Sequence, residues 1–245
     1  MIWFKEFELQ DSSVSLLVSL GCCFAFAICG VLETLHHKEN GGRRIILSPQ
    51  DIYNHLIKTK KENKSGCSLF TTVNWVRDNG CVLEETCPYK GTFKPASLER
   101  KPYLRITASR FINLTQEVSF SEKDKVLHKE LQLAIRNGPV AAQMLWIKEM
   151  SRLKGDGVYS GPKDATAFGT PTDQLRHSVI IVGYGQERKN NQVKNYWLIR
   201  NSHGKTWGDK GYGKIDTAPC HGRLLVECAC IILGVTYEKP NGEPY

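Results

Sequence analysis

Helical periodicity early in the chain and strand-like runs later predict an α+β fold of two lobes. Three observations carry that expectation. Ala25, Phe26, Ile28, Cys29, Leu32 and Leu35 give an almost all-round apolar helix. His177-Ser-Val-Ile-Ile-Val-Gly-Tyr184 and Asn195-Tyr-Trp-Leu-Ile-Arg200 read as an antiparallel strand pair. At 245 residues, 41% apolar and 24% charged, the chain has the makeup of a globular protein with one sizeable domain. That single domain, 1–245, divides into a helical lobe over about 1–104 and a β-rich lobe over 105–245. A cleft between the lobes is the expected site.

Residues 1–20 read as an irregular or extended lead-in, and a helix is expected from Cys23 to about His36. Gly41-Gly42 breaks the chain. Leu47-Ser-Pro-Gln-Asp51 is a helix start, with Ser48 at the N-cap and Pro49 at the first helical position. A short helix is expected over Thr71–Asp78, closed by Asn79-Gly80. Arg105–Asn113 alternates like a strand, and Val118–Phe120 continues the β character. Ser121 caps a helix over 122–137, which Gly138-Pro139 ends. Val140–Met144 and Gly157–Pro162 are β segments, and a polar loop over Gln186–Asn195 joins the last two strands. Glycines at 204, 208, 211 and 213 mark tight turns before Lys214-Ile215. No internal repeat is visible.

The net charge of +8 comes from 33 basic and 25 acidic residues. The basic ones are scattered through loops such as Lys58–Lys64 without a nucleic-acid motif, so nucleic acid is not an expected partner. Residues 13–32 carry no charge and meet the length rule for a membrane helix. Lys5, Glu6, Glu8 and Asp11 before them make neither a signal-peptide n-region nor a positive-inside flank, so a membrane span is disfavoured. Cys220, His221, Cys228 and Cys230 suggest a zinc site, but they lack paired ligand spacing and the three cysteines read instead as ordinary buried thiols of a β segment, with no metal and no cofactor implied. Nine cysteines leave at least one unpaired. Two sequons, at Asn63 and Asn113, matter only in a secreted chain.

Three residues carry chemistry. In Gly21-Cys-Cys-Phe-Ala-Phe-Ala27 a thiol sits where a loop becomes a helix, and the unpaired N–H groups and macrodipole there favour thiolate. His177 is a titratable residue out of pattern at the start of an apolar strand. Asn201 ends the next strand, so a hairpin brings it close, and its amide oxygen can accept from the imidazole and fix the tautomer. Cysteine, histidine and asparagine are the nucleophile, base and orienting group of one class of thiol hydrolases. The separations in the chain are near or somewhat beyond the roughly 130–150 residues expected.

With these motifs the chain resembles the papain-like cysteine peptidase family, over about residues 17–236. Gly-Cys-Cys-Phe-Ala-Phe26 is similar to the family's Gly-Ser-Cys-Trp-Ala-Phe, and Leu47-Ser-Pro-Gln-Asp51 to its Leu-Ser-Glu-Gln-Glu. Asp78-Asn-Gly80 through Cys87-Pro-Tyr89, Asn137-Gly-Pro-Val140 and Gly157-Val-Tyr-Ser-Gly-Pro162 have counterparts. The strongest match is His177–Gly185 with Tyr196-Trp-Leu-Ile-Arg-Asn-Ser202 and Lys205-Thr-Trp-Gly-Asp-Lys-Gly-Tyr212. The resemblance implies a papain-like two-lobe fold, with a helical left lobe, a β-barrel-like right lobe and a peptide cleft between them. It implies a catalytic triad of Cys23, His177 and Asn201 that hydrolyses peptide bonds through an acyl-enzyme. The implied partners are peptide or protein substrates and protein inhibitors. The implied compartment is lysosomal, vacuolar or extracellular, although no signal peptide or propeptide region is read in this chain.

The register of the first motif makes Cys23, not Cys22, the nucleophile. Six residues upstream the family's oxyanion-donating glutamine is Leu17. Arg176 stands where Asp or Asn is common, and a cation there disfavours an imidazolium at His177, only slightly if the side chain points into solvent. His203 replaces the tryptophan that shields the His–Asn hydrogen bond. Ser68-Leu69 replaces a glycine pair that lets substrate backbone approach. Three family disulfides lose partners, at Leu20, at His55 and before His177. These departures set out the alternative: a catalytically impaired papain-fold protein that acts by binding.

Overall fold

The computed structural model describes residues 21–57, 66–92, 100–114, 122–170, 175–189 and 191–238. They divide into two units, one holding the chain up to Phe111 together with the stretch from Cys230, the other Ile112–Ala229. Val118–Phe120, Asn63, Ser121 and Leu17 lie outside the described residues or their described side chains.

In the helix-rich unit α1 spans Cys23–Glu39, α2 Pro49–Leu56 and α3 Leu69–Asn79. α1 begins at Cys23 as expected and runs three residues past His36. Phe24, Ala25, Ile28, Val31 and Leu32 are buried along it, which makes it the core element of this unit. Buried Glu33 accepts the Leu47 amide at 2.8 Å and so fixes the chain entering α2. Ser48 caps α2 by accepting the Asp51 amide, with Pro49 at the first position. α3 starts two residues before the expected Thr71 because Ser68 caps it, its Oγ accepting the Thr71 amide at 3.0 Å. Gly80 ends it at φ +72°. A Cβ there would lie 2.7 Å from Pro102, so this position requires glycine twice over. Strand β1 (Leu104–Asn113) follows.

The strand-rich unit contains α4 (Glu122–Asn137), β2 (Val140–Trp146), a 3₁₀ helix over Lys148–Arg152 and β3 (Val158–Tyr159). A second 3₁₀ helix over Ala165–Phe168 precedes β4 (Leu175–Lys189), β5 (Gln192–Arg200), β6 (Tyr212–Asp216) and the start of β7 (Val226–Tyr237). Neighbours run β2-β4-β5-β6-β3, with β7 beside β2. The β2–β4, β4–β5 and β5–β6 pairs are antiparallel, and β3–β6 is parallel. Val179, Ile181, Trp197, Ile199 and Ile215 form the core.

One expectation is corrected. The polar segment Gln186–Asn195 is not a loop: β4 and β5 continue through it, pairing Gln186 with Asn195 and Lys189 with Gln192. The chain reverses near Asn191, whose φ is +58°. Polarity here marks a ribbon exposed on both faces, held by the Gln186–Asn195 side-chain bond at 2.8 Å and by Lys214 against Glu187 at 3.1 Å.

Candidate active site

Cys23 is the first residue of α1 and is half-buried. First-turn amides of a helix have no intrahelical carbonyl to donate to, so the thiol sits in the field of unpaired N–H groups. α1 has no acidic residue in its first turn, while His36, His37 and Lys38 occupy its last. No acidic residue in the first turn of α1 offsets the positive end of the dipole at the cysteine. Cys22 is different in kind. It is buried, its thiol lies 3.2 Å from the Tyr89 hydroxyl, and burial pushes it up to about 11.

β4 places His177 opposite Met144 of β2. The β4–β5 pairing ends with Ile180 against Arg200. β5 ends at Arg200, so Asn201 is the first residue after the strand that pairs with β4. Asn201 is held there by its backbone N–H, which donates to the Gly211 carbonyl at 3.0 Å. His177 Nε2 and Asn201 Oδ1 are 2.7 Å apart, both residues buried. A carboxamide oxygen only accepts, so Nε2 carries the proton and Nδ1 keeps its lone pair. The pair fixes a neutral imidazole whose Nδ1 is unprotonated.

Aromatic rings enclose this imidazole. Trp146 packs at 4.4 Å between ring centroids and His203 at 4.9 Å. Trp207 stands behind them, its indole donating to the Met150 carbonyl at 2.8 Å and lying against Gly213. Burial, opposed by the Asn201 hydrogen bond, pushes His177 down to about 4. Burial and then the neighbouring His177 push His203 down to about 4 as well.

The Arg176 expectation is corrected by a partner distant in sequence. Its guanidinium is forked onto Glu227, Nε to Oε2 at 2.7 Å and Nη2 to Oε1 at 3.2 Å. The carboxylate neutralises the cation, and Arg176 is not among the influences on His177.

A family model described as papain family cysteine protease matches residues 12–228. The chain belongs to the papain family. It is 30% identical to cathepsin J and 31% identical to cathepsin Q, both from Rattus norvegicus, over 80% of its own length. These matches cover 54% and 52% of those two proteins, so the chain spans about half the length of the curated relatives it matches. Among solved structures, a cysteine protease of Carica candamarcensis in complex with E-64 superposes at a TM-score of 0.64. The identity is 21%, covering 88% of this chain and 89% of that one. Bromelain from Ananas comosus superposes at 0.62 with 20% identity, covering 87% and 89%. The fold is the α+β papain fold.

In this papain-family chain none of the nine cysteines forms a disulfide. Cys220 and His221 both contact the Pro162 carbonyl, Cys230 is in the core, and no group among the described residues could hold a metal. No helix among them is long and apolar enough to cross a membrane. Sequence reasoning missed Trp146 and Glu227. The signal for Trp146 was the end of an apolar strand, which becomes informative only once β2 is in register with β4.

The enclosed histidines set an acid sensitivity. Unfolded histidines titrate near the ordinary 6.5, and these two near 4. Between those values the unfolded chain binds more protons, so their contribution is full above 6.5 and lost as pH falls toward 4. Thermal melts of His203→Phe from pH 7 to 4 are expected to decline less steeply than wild type. Parallel curves would refute the assignment.

Proposed function

We propose that this papain-family chain is a cysteine-type peptidase acting through Cys23, His177 and Asn201. The observation that carries the reading is the His177–Asn201 pair, which fixes the tautomer and leaves Nδ1 as the base. His177 Nδ1 takes the proton of the Cys23 thiol, and the sulfur attacks the peptide carbonyl carbon. The oxyanion is met by the Cys23 backbone N–H. Collapse breaks the C–N bond, His177 gives its proton to the departing amine, and an acyl-thioester remains. Water, deprotonated by His177, hydrolyses the thioester and returns the thiol. The Asn201 oxygen holds the ring through each proton movement. Peptides or proteins are the substrates, and the compartment is lysosomal, vacuolar or extracellular.

Limiting alkylation with iodoacetamide at pH 6.5, followed by peptide mass mapping, tests the reading. Burial pushes the Cys29, Cys67, Cys87 and Cys228 thiols upward, so they react slowly. Cys23 is expected to be labelled first, and more slowly in His177→Ala. Labelling at Cys23 no faster than at Cys67 would sink the proposal.

A second reading, a binding protein of weak or no catalysis, is favoured by Leu17 at the glutamine position. Leu17→Gln is then expected to raise kcat about 10²–10³-fold. Wild-type turnover that Leu17→Gln leaves unchanged would dispose of this second reading.

A further inference from the structure

We infer that the chain selects a carboxylate-bearing side chain on the leaving-group side of the scissile bond, using Lys148 and Arg152. The inference rests on the peptidase reading above. Immediately after Trp146, whose indole packs on His177, the chain enters the 3₁₀ helix Lys148–Arg152. A recess of about 540 Å³ lies there, lined by Ile147, Lys148, Glu149, Arg152 and Ala167.

Chemistry assigns the recess its part of the substrate. His177 protonates the departing amine, so the residues beyond the cleaved bond leave past the imidazole and its neighbour Trp146. On this inference their side chains enter the recess, whose lining begins at Ile147, the residue after Trp146. Its floor includes buried Ile147, and its charged groups are two cations and one anion. The anion is engaged, since Glu149 Oε1 accepts the Tyr159 hydroxyl at 2.7 Å. Lys148 and Arg152 make no ion pair among the described residues, and both are exposed. Two uncommitted cations over an apolar floor fit a Glu or Asp side chain, and they disfavour Lys or Arg there.

The leaving fragment alone tests this, because binding it needs no turnover. Unlabelled tetrapeptide amides Ala-Glu-Glu-Ala and Ala-Gln-Gln-Ala are titrated into the full chain by isothermal titration calorimetry at low salt. The acidic peptide is expected to bind about five- to tenfold tighter, an advantage that salt and the Lys148→Ala/Arg152→Ala pair both abolish. Equal binding of the two amides overturns the inference. Tighter binding only of free-acid forms overturns it too, by assigning the site to a chain terminus. Cleavage of a mixed peptide library then separates the two proposals. Cleavage without acidic enrichment after the cut bond removes this inference and leaves the peptidase standing. Acid-selective binding with no cleavage removes the peptidase and keeps the recess as a carboxylate site.

Discussion

Cys23→Ala is expected to lower kcat for an internally quenched peptide by about 10⁴–10⁶, to background, while Cys22→Ala stays within a few-fold of wild type. The two thiols are adjacent, but their surroundings differ. Cys22 is buried against Tyr89, and a thiol held at about 11 has almost no thiolate at neutral pH. Its carbonyl accepts the Ala25 amide at 3.0 Å, a contact that alanine keeps. Removing its side chain forfeits one partly buried hydrogen bond, a cost of about 1 kcal/mol in stability. Cys23 sits at the positive end of a 17-residue helix. Cys23→Ser keeps the shape but replaces the sulfur by a hydroxyl of far higher pKa, and it is expected to be as inactive as alanine. Asn201→Ala touches only the base, so it should lower kcat and leave KM nearly unchanged. If Cys23→Ala retains a tenth of wild-type turnover, or Cys22→Ala is the dead variant, the nucleophile is wrongly assigned.

Local chemistry made half of this legible in the sequence. A histidine that breaks an apolar strand, and an asparagine at the next strand's end, announced a hairpin-built pair, and the 2.7 Å bond is between those two side chains. The start of α1 and the cap of α2 were legible for the same reason, since Ser48 and Pro49 act within one turn. Long-range compensation stayed hidden. Arg176 looked like a liability beside His177 because its sequence neighbours offer no counter-ion, and Glu227 meets it only when β7 lies beside β2. Ser68 looked like an obstacle to substrate where glycine was expected. Its hydroxyl has a local task, capping α3. Polar residues over 186–195 read as a loop because polarity reports exposure, which a two-stranded ribbon shares with a loop.

Asp51→Asn should be the most damaging single change to the stability of the helix-rich unit, at about 3–5 kcal/mol. Asp51 has a side chain only 4% exposed, and Arg100 grips it at 3.0 and 2.7 Å. The same guanidinium donates to the Asn79 and Gly80 carbonyls that end α3, and it packs 4.6 Å over Trp75. His55 adds a contact at 3.3 Å and stands where the resemblance placed a disulfide cysteine, so this network links α2 to α3 where the bridge is missing. Burial works to raise the Asp51 carboxyl, but the hydrogen bonds from His55 and Arg100 prevail and lower it. Its contribution is therefore present above the ordinary carboxylate range and fades as pH falls through the depressed value. The Asp51 hydrogen bond raises His55, with burial opposing, so that contribution is present below about 6.5 and fades as pH rises through the raised value. Both act together in mildly acidic solution, where thermal melts of Asp51→Asn should fall by about 6–20 °C. Arg100→Met on its own tests whether the charge pair, and not packing alone, is responsible. It leaves a buried carboxylate with only His55, so its melt should steepen its decline with rising pH as His55 deprotonates. The double variant should cost less than the two single costs added, because neither partner is then stranded. Additive costs would mean that the two residues stabilise the unit independently.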